Sequence, residues 1–325
     1  MATSEPDNPP TSVIEVDERL AGERLDRLVA QQTGISRRVA RHLIATGRVW
    51  VGNQSVRVLA RKVRPGHRVR IFADAPEQDA ATQPSQARLQ LVYWDRYIAV
   101  VDKPAGLLSE PDRSGAPSVA TLVPKLLRAR GEPTDRVWLV HRLDAQTSGV
   151  MVIARRKLAV RVLGDAFRRG EVSKGYLALC NGGVSAAHCV DAPIARRRGI
   201  QHGVSATGKP ARTRVSPWRR GESSSLVLCR PETGRTHQIR VHMAHLGHPL
   251  LGDKLYGGPR TTRGLGAGHA RERAIDRCML HAAKLSFSHP KTDAPRTFYA
   301  PPARDFAILA EQLGVWDECL LADVL

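Results

Sequence analysis

Cysteine is scarce in this 325-residue chain: five residues, at 180, 189, 229, 278 and 319, with no Cys-x-x-Cys pair among them. An odd, scattered set speaks against a disulfide framework and for reduced thiols. Long apolar runs are missing as well. Nothing approaches the roughly 18 apolar residues of a membrane span, and Met1 to Pro10 is polar and proline-rich, without the apolar core of a secretion signal. The expectation is a cytoplasmic protein with no membrane partner. Gly208-Lys209 lacks the Walker spacing, and no His-Glu-x-x-His is present, so nucleotide hydrolysis and a zinc centre have no motif behind them. Acidic residues are the other shortage: 31 Asp and Glu face 50 Lys and Arg, a net charge of +19. Such an excess favours a polyanionic partner, nucleic acid first.

The charge is concentrated. Between Arg19 and Ala73 stand 13 Lys and Arg against Glu23 and Asp26, so more than half of the excess falls in 55 residues. Leu25, Leu28 and Val29 recur there at helical spacing, and Val39, Leu43 and Ile44 do so in a second short helix opened by Ser36, a good N-cap. Short β segments follow at 49–51, 56–58 and 68–72. Upstream, a stretch rich in Pro, Ser, Thr and Asp reads as disordered; downstream, Asp74 to Ala87 has no aromatic residue and reads as a linker. The expected division is a tail at 1–12, a small basic α/β module at 13–74, a linker at 75–87 and a large domain at 88–325.

In the large domain, β-like runs at 89–93, 97–102, 150–154, 176–180, 226–230 and 285–288 alternate with helical stretches at 118–130, 157–169, 237–246 and 302–313. That pattern predicts an α+β fold with one mixed, mainly antiparallel sheet. Residues 257–268, rich in Gly and Arg, read as a flexible basic loop. One stretch carries chemistry: His141-Arg142-Leu143-Asp144-Ala145-Gln146-Thr147-Ser148-Gly149 frames a carboxylate with a cation and small turn-forming residues. The apolar runs Val137 to Val140 and Val150 to Ala154 would bury the ends of this loop and hold Asp144 in place. The plainer alternative is an Asp capping a turn, with Thr147 and Ser148 bonded to local backbone.

In the basic module, the run Ser36-Arg37-Arg38-x-Ala40-Arg41-x-Leu43-Ile44-x-x-Gly47-Arg48-Val49-x-Val51 resembles the S4 RNA-binding domain over about residues 19–73. The resemblance makes Arg37, Arg38, Arg41 and Arg48 candidate phosphate contacts. Further motifs occur in order along the large domain: Lys103-Pro104-Ala105-Gly106, the Asp144 loop, Lys174-Gly175-Tyr176, Gly208-Lys209-Pro210-Ala211, Thr233-Gly234-Arg235-Thr236-His237-Gln238-Ile239-Arg240, and Gly247-His248-Pro249-Leu250-Leu251-Gly252-Asp253-Lys254-Leu255-Tyr256. Together they resemble the RluA family of pseudouridine synthases over about residues 89–290. Where many members follow the first motif with a Val-His-Pro-like turn, this chain has Leu108-Ser109-Glu110-Pro111, an acidic residue near the expected RNA.

The resemblance implies isomerisation of uridine in RNA without a cofactor; the S4-like module points to large-subunit ribosomal RNA ahead of transfer RNA, and a monomer is the default expectation. The bond from ring nitrogen to sugar breaks, the uracil turns, and a ring carbon rejoins the sugar. It makes Asp144 the catalytic carboxylate, Arg240 its ion-pair partner and Tyr176 the residue against the target base. Residue types leave open whether the carboxylate attacks the sugar or the base, or first removes a sugar proton. The uracil must leave the stack to react, and Arg142 is the residue placed to fill the gap. His141, Lys174 and Arg235 complete the expected RNA-facing set. An arginine fork suits a two-point grip on a carboxylate, and the expectation is that Arg240 uses it on Asp144. Two other classes compete: a noncatalytic RNA-binding or ribosome-assembly factor, and a metal-dependent RNA hydrolase. The second would need clustered carboxylates, and the motifs supply one aspartate at a time. His237, His242, His245 and His248, with Asp253, invite a separate metal reading, but the motifs already account for them and no metal site is expected.

Overall fold

Periodic apolar residues build two separate cores in this chain, in units spanning Met1–Ser85 and Gln86–Leu325 of the computed structural model. The structure describes residues 9–72 and 89–316, apart from 36, 46, 53, 57, 59, 60, 113, 114, 133, 135 and 266–273 and the side chains of Arg38, His42 and Ala45. The expected N-cap Ser36, the linker and residues 1–8 of the tail lie outside the described residues.

In the first unit the elements run β1 (Ser12–Glu15), α1 (Leu25–Thr33), α2 (Arg37–Ala45), β2 (Val49–Val51), β3 (Gln54–Ser55) and β4 (Arg68–Ile71), with the strands in one sheet of order β1-β4-β2-β3. Leu25, Leu28 and Val29 of α1 meet Leu43 and Ile44 of α2 over Val49, Val51, Val69 and Ile71 of the sheet. Helix α1 ends at Gly34, whose φ of 71° is the left-handed cap that glycine adopts without a Cβ penalty. Two expectations are corrected. Val56 and Val58 lie outside any strand: the ladder closes at Gln54–Ser55, Val56 turns into the core with its N–H on the Val49 carbonyl at 2.8 Å, and Val58 is exposed. Ser12, counted with the tail, pairs with Ile71.

The second unit contains β5 (Gln90–Trp94), β6 (Ile98–Lys103), α3 (Val119–Arg128), β7 (Trp138–Leu139), β8 (Ser148–Ala154), α4 (Lys157–Arg169), β9 (Ser173–Asn181), β10 (His188–Asp191), β11 (Ile194–Arg196), β12 (His202–Val204), β13 (Arg212–Arg220), β14 (Ser224–Pro231), α5 (Gln238–His245), β15 (Leu280–Ser288), β16 (Pro295–Tyr299) and α6 (Arg304–Gln312). Ten strands form one mixed sheet, ordered β10-β13-β14-β9-β15-β8-β6-β5, with β16 on β15 and β7 on β8. All pairings are antiparallel except β8 with β15. Strands β11 and β12 make a separate hairpin.

Every residue of β8 is buried, because both faces of the sheet are covered there. Met151 and Ile153 pack under Val119, Val123 and Leu127 of α3, while Val150, Val152 and Ala154 pack on Ala159 and Leu163 of α4. The alternation of a pleated strand thus feeds two cores from one apolar run. Gly149 is required where β8 meets β15: its φ is 117° and a Cβ would stand 2.2 Å from the Ala282 carbonyl oxygen.

The unpredicted strands are polar ones. In β13, Arg-Thr-Arg-Val-Ser-Pro-Trp-Arg-Arg, only Thr213 and Val215 are buried, and the register shifts between Pro217 and Arg219. The supposed flexible loop at 257–268 is also corrected over its described part: Leu265 is buried in the core, and Gly258 sits so tightly that a Cβ would overlap the Leu250 carbonyl.

Candidate active site

The loop of 140–147 joins β7 to β8 and is fastened at every turn. Leu143 is buried, donates its N–H to Ser109 Oγ at 3.2 Å and accepts from the same hydroxyl at 2.7 Å. Lys103, at the end of β6, is fully buried, and its Nζ donates to the carbonyls of Pro104 (3.0 Å), Leu107 (2.8 Å) and Ala145 (3.1 Å). Three carbonyls match the three donors of an ammonium group, so the lysine ties the 104–107 turn to the loop. Burial pushes its pKa down to about 7, against which the Asp144 charge acts. Gln146 is held from the other side by Arg277 Nη1 (3.2 Å) and Cys278 N–H (3.2 Å). Between these anchors the Asp144 carbonyl accepts from Thr147 N–H at 3.0 Å, closing a turn around the carboxylate.

Asp144 Oδ2 accepts from Arg240 Nη1 at 3.2 Å; the side chain of Asp144 is 25% exposed and that of Arg240 7%. Arg240 lies in α5, whose start is held by Gln238: its Oε1 accepts from Thr233 Oγ1 (2.6 Å) and Arg235 N–H (3.0 Å), and its Nε2 donates to the Arg212 carbonyl and Thr213 Oγ1, both at 2.9 Å. The two-point grip of the guanidinium goes to Asp253 and not to Asp144, contrary to expectation. Nε and Nη2 donate to Asp253 Oδ2 and Oδ1 at 2.7 and 2.8 Å, and Asp253 is wholly buried. Arg240 also lies over the Tyr256 ring, 5.0 Å from its centroid. Burial works to lower the Arg240 pKa, but the Asp253 hydrogen bonds outweigh it and the guanidinium is held firmly protonated. His237, in the left-handed region at φ 57°, precedes α5 and places Nε2 3.7 Å from Asp144 Oδ2. Tyr176, on β9, is half-buried between two apolar clusters; burial first, and then the Asp144 charge, push its phenol pKa up.

Residues 97–245 match the RNA pseudouridylate synthase family, and residues 23–69 match the S4 domain. A Yersinia pestis protein named ribosomal large subunit pseudouridine synthase D is 36% identical over 92% of this chain and 93% of its own. An Escherichia coli K12 protein of the same name is 35% identical over 91% and 92%. The chain belongs to the RNA pseudouridylate synthase family. The human RNA pseudouridylate synthase domain containing 4 structure superposes with a TM-score of 0.58 at 26% identity, over 70% of this chain and 94% of that one. Relatives of this kind along nearly the whole chain make it an RNA pseudouridine synthase, an isomerase, and displace the noncatalytic reading.

Within that frame, Asp144, Arg240 and Tyr176 surround one site, while the other expected residues divide. Arg142 is exposed and pairs with Glu110 at 3.1 Å. Lys174 is half-buried; its Nζ donates to the Thr233 carbonyl at 3.1 Å, and burial brings its pKa down to about 8. Arg235 is exposed, with Nε on the Pro210 carbonyl at 2.9 Å. His141 turns away from an RNA-facing role: its ring stacks on Phe167 at 4.5 Å and its Nε2 accepts the Val152 N–H at 3.0 Å. Burial, then the Lys174 charge, lower its pKa to about 3 and keep that nitrogen an acceptor. In the first unit, Arg37 and Arg41, with Arg24, converge on the buried Asp26 at 3.4, 3.2 and 3.0 Å, leaving three half-exposed guanidinium groups on one side of it. Arg48 is half-buried ahead of β2.

Among the described residues no three His, Cys, Asp or Glu side chains gather as a metal site. The suspected ligands have other work: both His242 nitrogens are bonded, to Thr213 Oγ1 at 2.8 Å and the Ala192 carbonyl at 2.9 Å, His248 Nδ1 meets the Asn181 carbonyl, and Asp253 holds Arg240. Two side chains gained importance that their residue types had not signalled. Asp253 was weighed only as a metal ligand and Lys103 only as one residue of a motif; the mark of each is complete burial of a charge, visible only in three dimensions.

Proposed function

We propose that the chain isomerises uridine in large-subunit ribosomal RNA in the cytoplasm, with Asp144 as the catalytic carboxylate. The observation that carries the catalytic part is the Asp144–Arg240–Asp253 array. A quarter-exposed carboxylate is held by one nitrogen of a guanidinium whose remaining fork is fixed by a buried carboxylate. Such a cation keeps Asp144 aimed and sits beside the charge that develops as the glycosidic bond to nitrogen opens. Tyr176, whose phenol feels the Asp144 charge, offers a ring for the displaced uracil to lie against and is assigned to help move the proton that leaves the ring carbon.

A uridine in stacked RNA reaches this site only by flipping out, at a cost of a few kcal/mol. Arg142 is long, exposed and paired only with exposed Glu110, an arrangement that releases it to enter the vacated space or to hold a neighbouring phosphate. Lys174 and Arg235, bonded to the Thr233 and Pro210 carbonyls, are the further cations assigned to RNA, and His141 keeps the loop in shape. In the first unit, Arg37, Arg38, Arg41 and Arg48 provide phosphate contacts that position the RNA and leave the choice of base to the active site.

The test is pseudouridine mapping on RNA from cells with the wild-type protein, without it, and with Asp144→Ala alone. Loss of one mark in ribosomal RNA that only the wild type restores is the expected result. A lost mark in transfer RNA would move the substrate, and a mark restored by Asp144→Ala would overturn the role of the carboxylate.

A further inference from the structure

A chain of hydrogen bonds behind the reactive carboxylate reaches His237. The His202 backbone N–H donates to the Tyr256 hydroxyl at 3.1 Å. With its oxygen accepting there, the hydroxyl has its own proton to give to His237 Nδ1, 2.8 Å away. In the tautomer this arrangement favours, Nδ1 accepts and the neutral imidazole holds its hydrogen on Nε2, which faces Asp144 Oδ2 at 3.7 Å. Burial lowers the His237 pKa, helped by the Arg240 and His202 charges and opposed by the Asp144 charge. We propose that His237 is a positioning residue for the isomerisation: it presents a fixed Nε2–H donor to Asp144, on the same oxygen that Arg240 holds. The proposal rests on the reading of Asp144 as the catalytic carboxylate.

The backbone adds a second observation. His237 has φ 57° and ψ 21°, one of two non-glycine residues with positive φ among those described, and it stands immediately before the helix that carries Arg240. Among non-glycine residues Asn, Asp and His enter that region most readily, and the cost persists where the surroundings demand it. A residue chosen for backbone alone would be glycine or asparagine. The ring here is held edge-on to Tyr256 and to His202, with centroids 5.7 and 5.6 Å away, which fixes its plane. At 3.7 Å, Nε2 is a small rotation from a full hydrogen bond to Asp144, and apo geometry of this kind tightens in the reacting complex.

Two substitutions separate this role from scaffolding. Asparagine places its amide where Nδ1 is and suits the left-handed backbone, but it does not reach Asp144. Glutamine places an amide N–H near the Nε2 position and suits that backbone less. A structural role therefore ranks His237→Asn above His237→Gln, and the proposal ranks them in the opposite order. For His237→Asn, kcat is expected to fall roughly 10- to 100-fold with KM little changed, as a misaimed reactive group costs up to about 10²-fold; His237→Gln should keep most of the activity. The second measurement does not depend on turnover: long-range proton–nitrogen NMR of the histidine-labelled full chain, with His237 assigned by its loss in His237→Asn. It should show the Nε2–H tautomer in the wild type and a mixture in Tyr256→Phe. Equal kcat for the two His237 variants, a change in KM alone, or an Nδ1–H tautomer would overturn the proposal. Asp144→Asn is the control that keeps the two readings apart: activity there would sink the catalytic role of the carboxylate, whereas the tautomer reports on His237 whatever Asp144 does.

Discussion

Asp253→Asn tests the array at the one member that stands behind the reacting groups. The carboxylate is wholly buried and accepts from Arg240 Nε and Nη2 at 2.7 and 2.8 Å, and from the Leu255 and Tyr256 N–H groups at 3.0 and 3.3 Å. Asparagine keeps the shape but removes the charge and turns one acceptor into an NH2 that must face another donor. Removing one partner of a buried ion pair costs about 3–5 kcal/mol, because the other charge is left without compensation. Asp144 still opposes Arg240 at 3.2 Å, which places the cost at the lower end, about 3 kcal/mol. For a unit of about 240 residues each kcal/mol is worth roughly 2–4 °C, so Tm should fall by about 6–12 °C. Turnover, followed by release of tritium from the uracil ring carbon, should fall by up to about 10²-fold, because one of the two bonds that aim Arg240 at Asp144 is replaced by two donors facing each other.

The pairing can be isolated by a double-mutant cycle with Arg240→Met. With the guanidinium gone, Asp253 loses its partner, and an asparagine in its place no longer faces an unmatched charge. The second substitution should then cost far less than it does alone, with a coupling of about 2–3 kcal/mol. Additive losses, or an Asp253→Asn protein that unfolds with the wild type and turns over normally, would refute the claim that Asp253 holds Arg240 in place.

The other predictions concern the scaffold and the basic unit. Gly149→Ala puts a Cβ 2.2 Å from the Ala282 carbonyl oxygen at a φ of 117°, so thermal unfolding should show a loss of more than about 3 kcal/mol, the upper range for overpacking; a loss under about 1 kcal/mol would mean that β8 and β15 are not locked together there. Replacing Arg37 and Arg41 together by Gln should weaken RNA binding and lower the slope of log K against log salt by about 1.5, two contacts at roughly 0.7–0.9 each, with kcat unaltered; an unchanged slope in a filter-binding titration would remove both from the phosphate contacts. Burial of Asp26 would raise its pKa, but hydrogen bonds from Arg24, Arg41 and Arg37 prevail and bring it from 3.8 down to about 2. A depressed carboxylate stabilises the folded state above its unfolded pKa and loses that contribution as pH falls through the folded value. Between pH 4 and 2, amide protection in the first unit should therefore decline more steeply in the wild type than in Asp26→Asn, and parallel declines would show that the three arginines do not favour the ionised form.

The spine of the large sheet was legible because β8 is apolar from Val150 to Ala154 and α4 carries both its helical spacing and its glycine stop at Gly170, whereas β13 was not, since its buried face amounts to Thr213 and Val215 among arginines. The Asp144 loop was legible for the same reason as β8: apolar flanks announce that something polar between them is being held. The carboxylate that takes the two-point fork of Arg240 was not legible. Residues 240 and 253 are joined across a helix end and a turn, a separation without a period, and a guanidinium's shape asks for a planar pair of oxygens without saying whose. Both aspartates satisfy that demand on paper. In the folded chain the wholly buried one takes the fork, and the quarter-exposed one takes a single nitrogen on Oδ2, leaving Oδ1 with no partner among the described residues. Had the fork closed on Asp144, both of its oxygens would be engaged by the cation meant to assist it. The burial difference between two chemically identical side chains thus separates the carboxylate that holds from the one left able to react, and no count of residue types contains that difference.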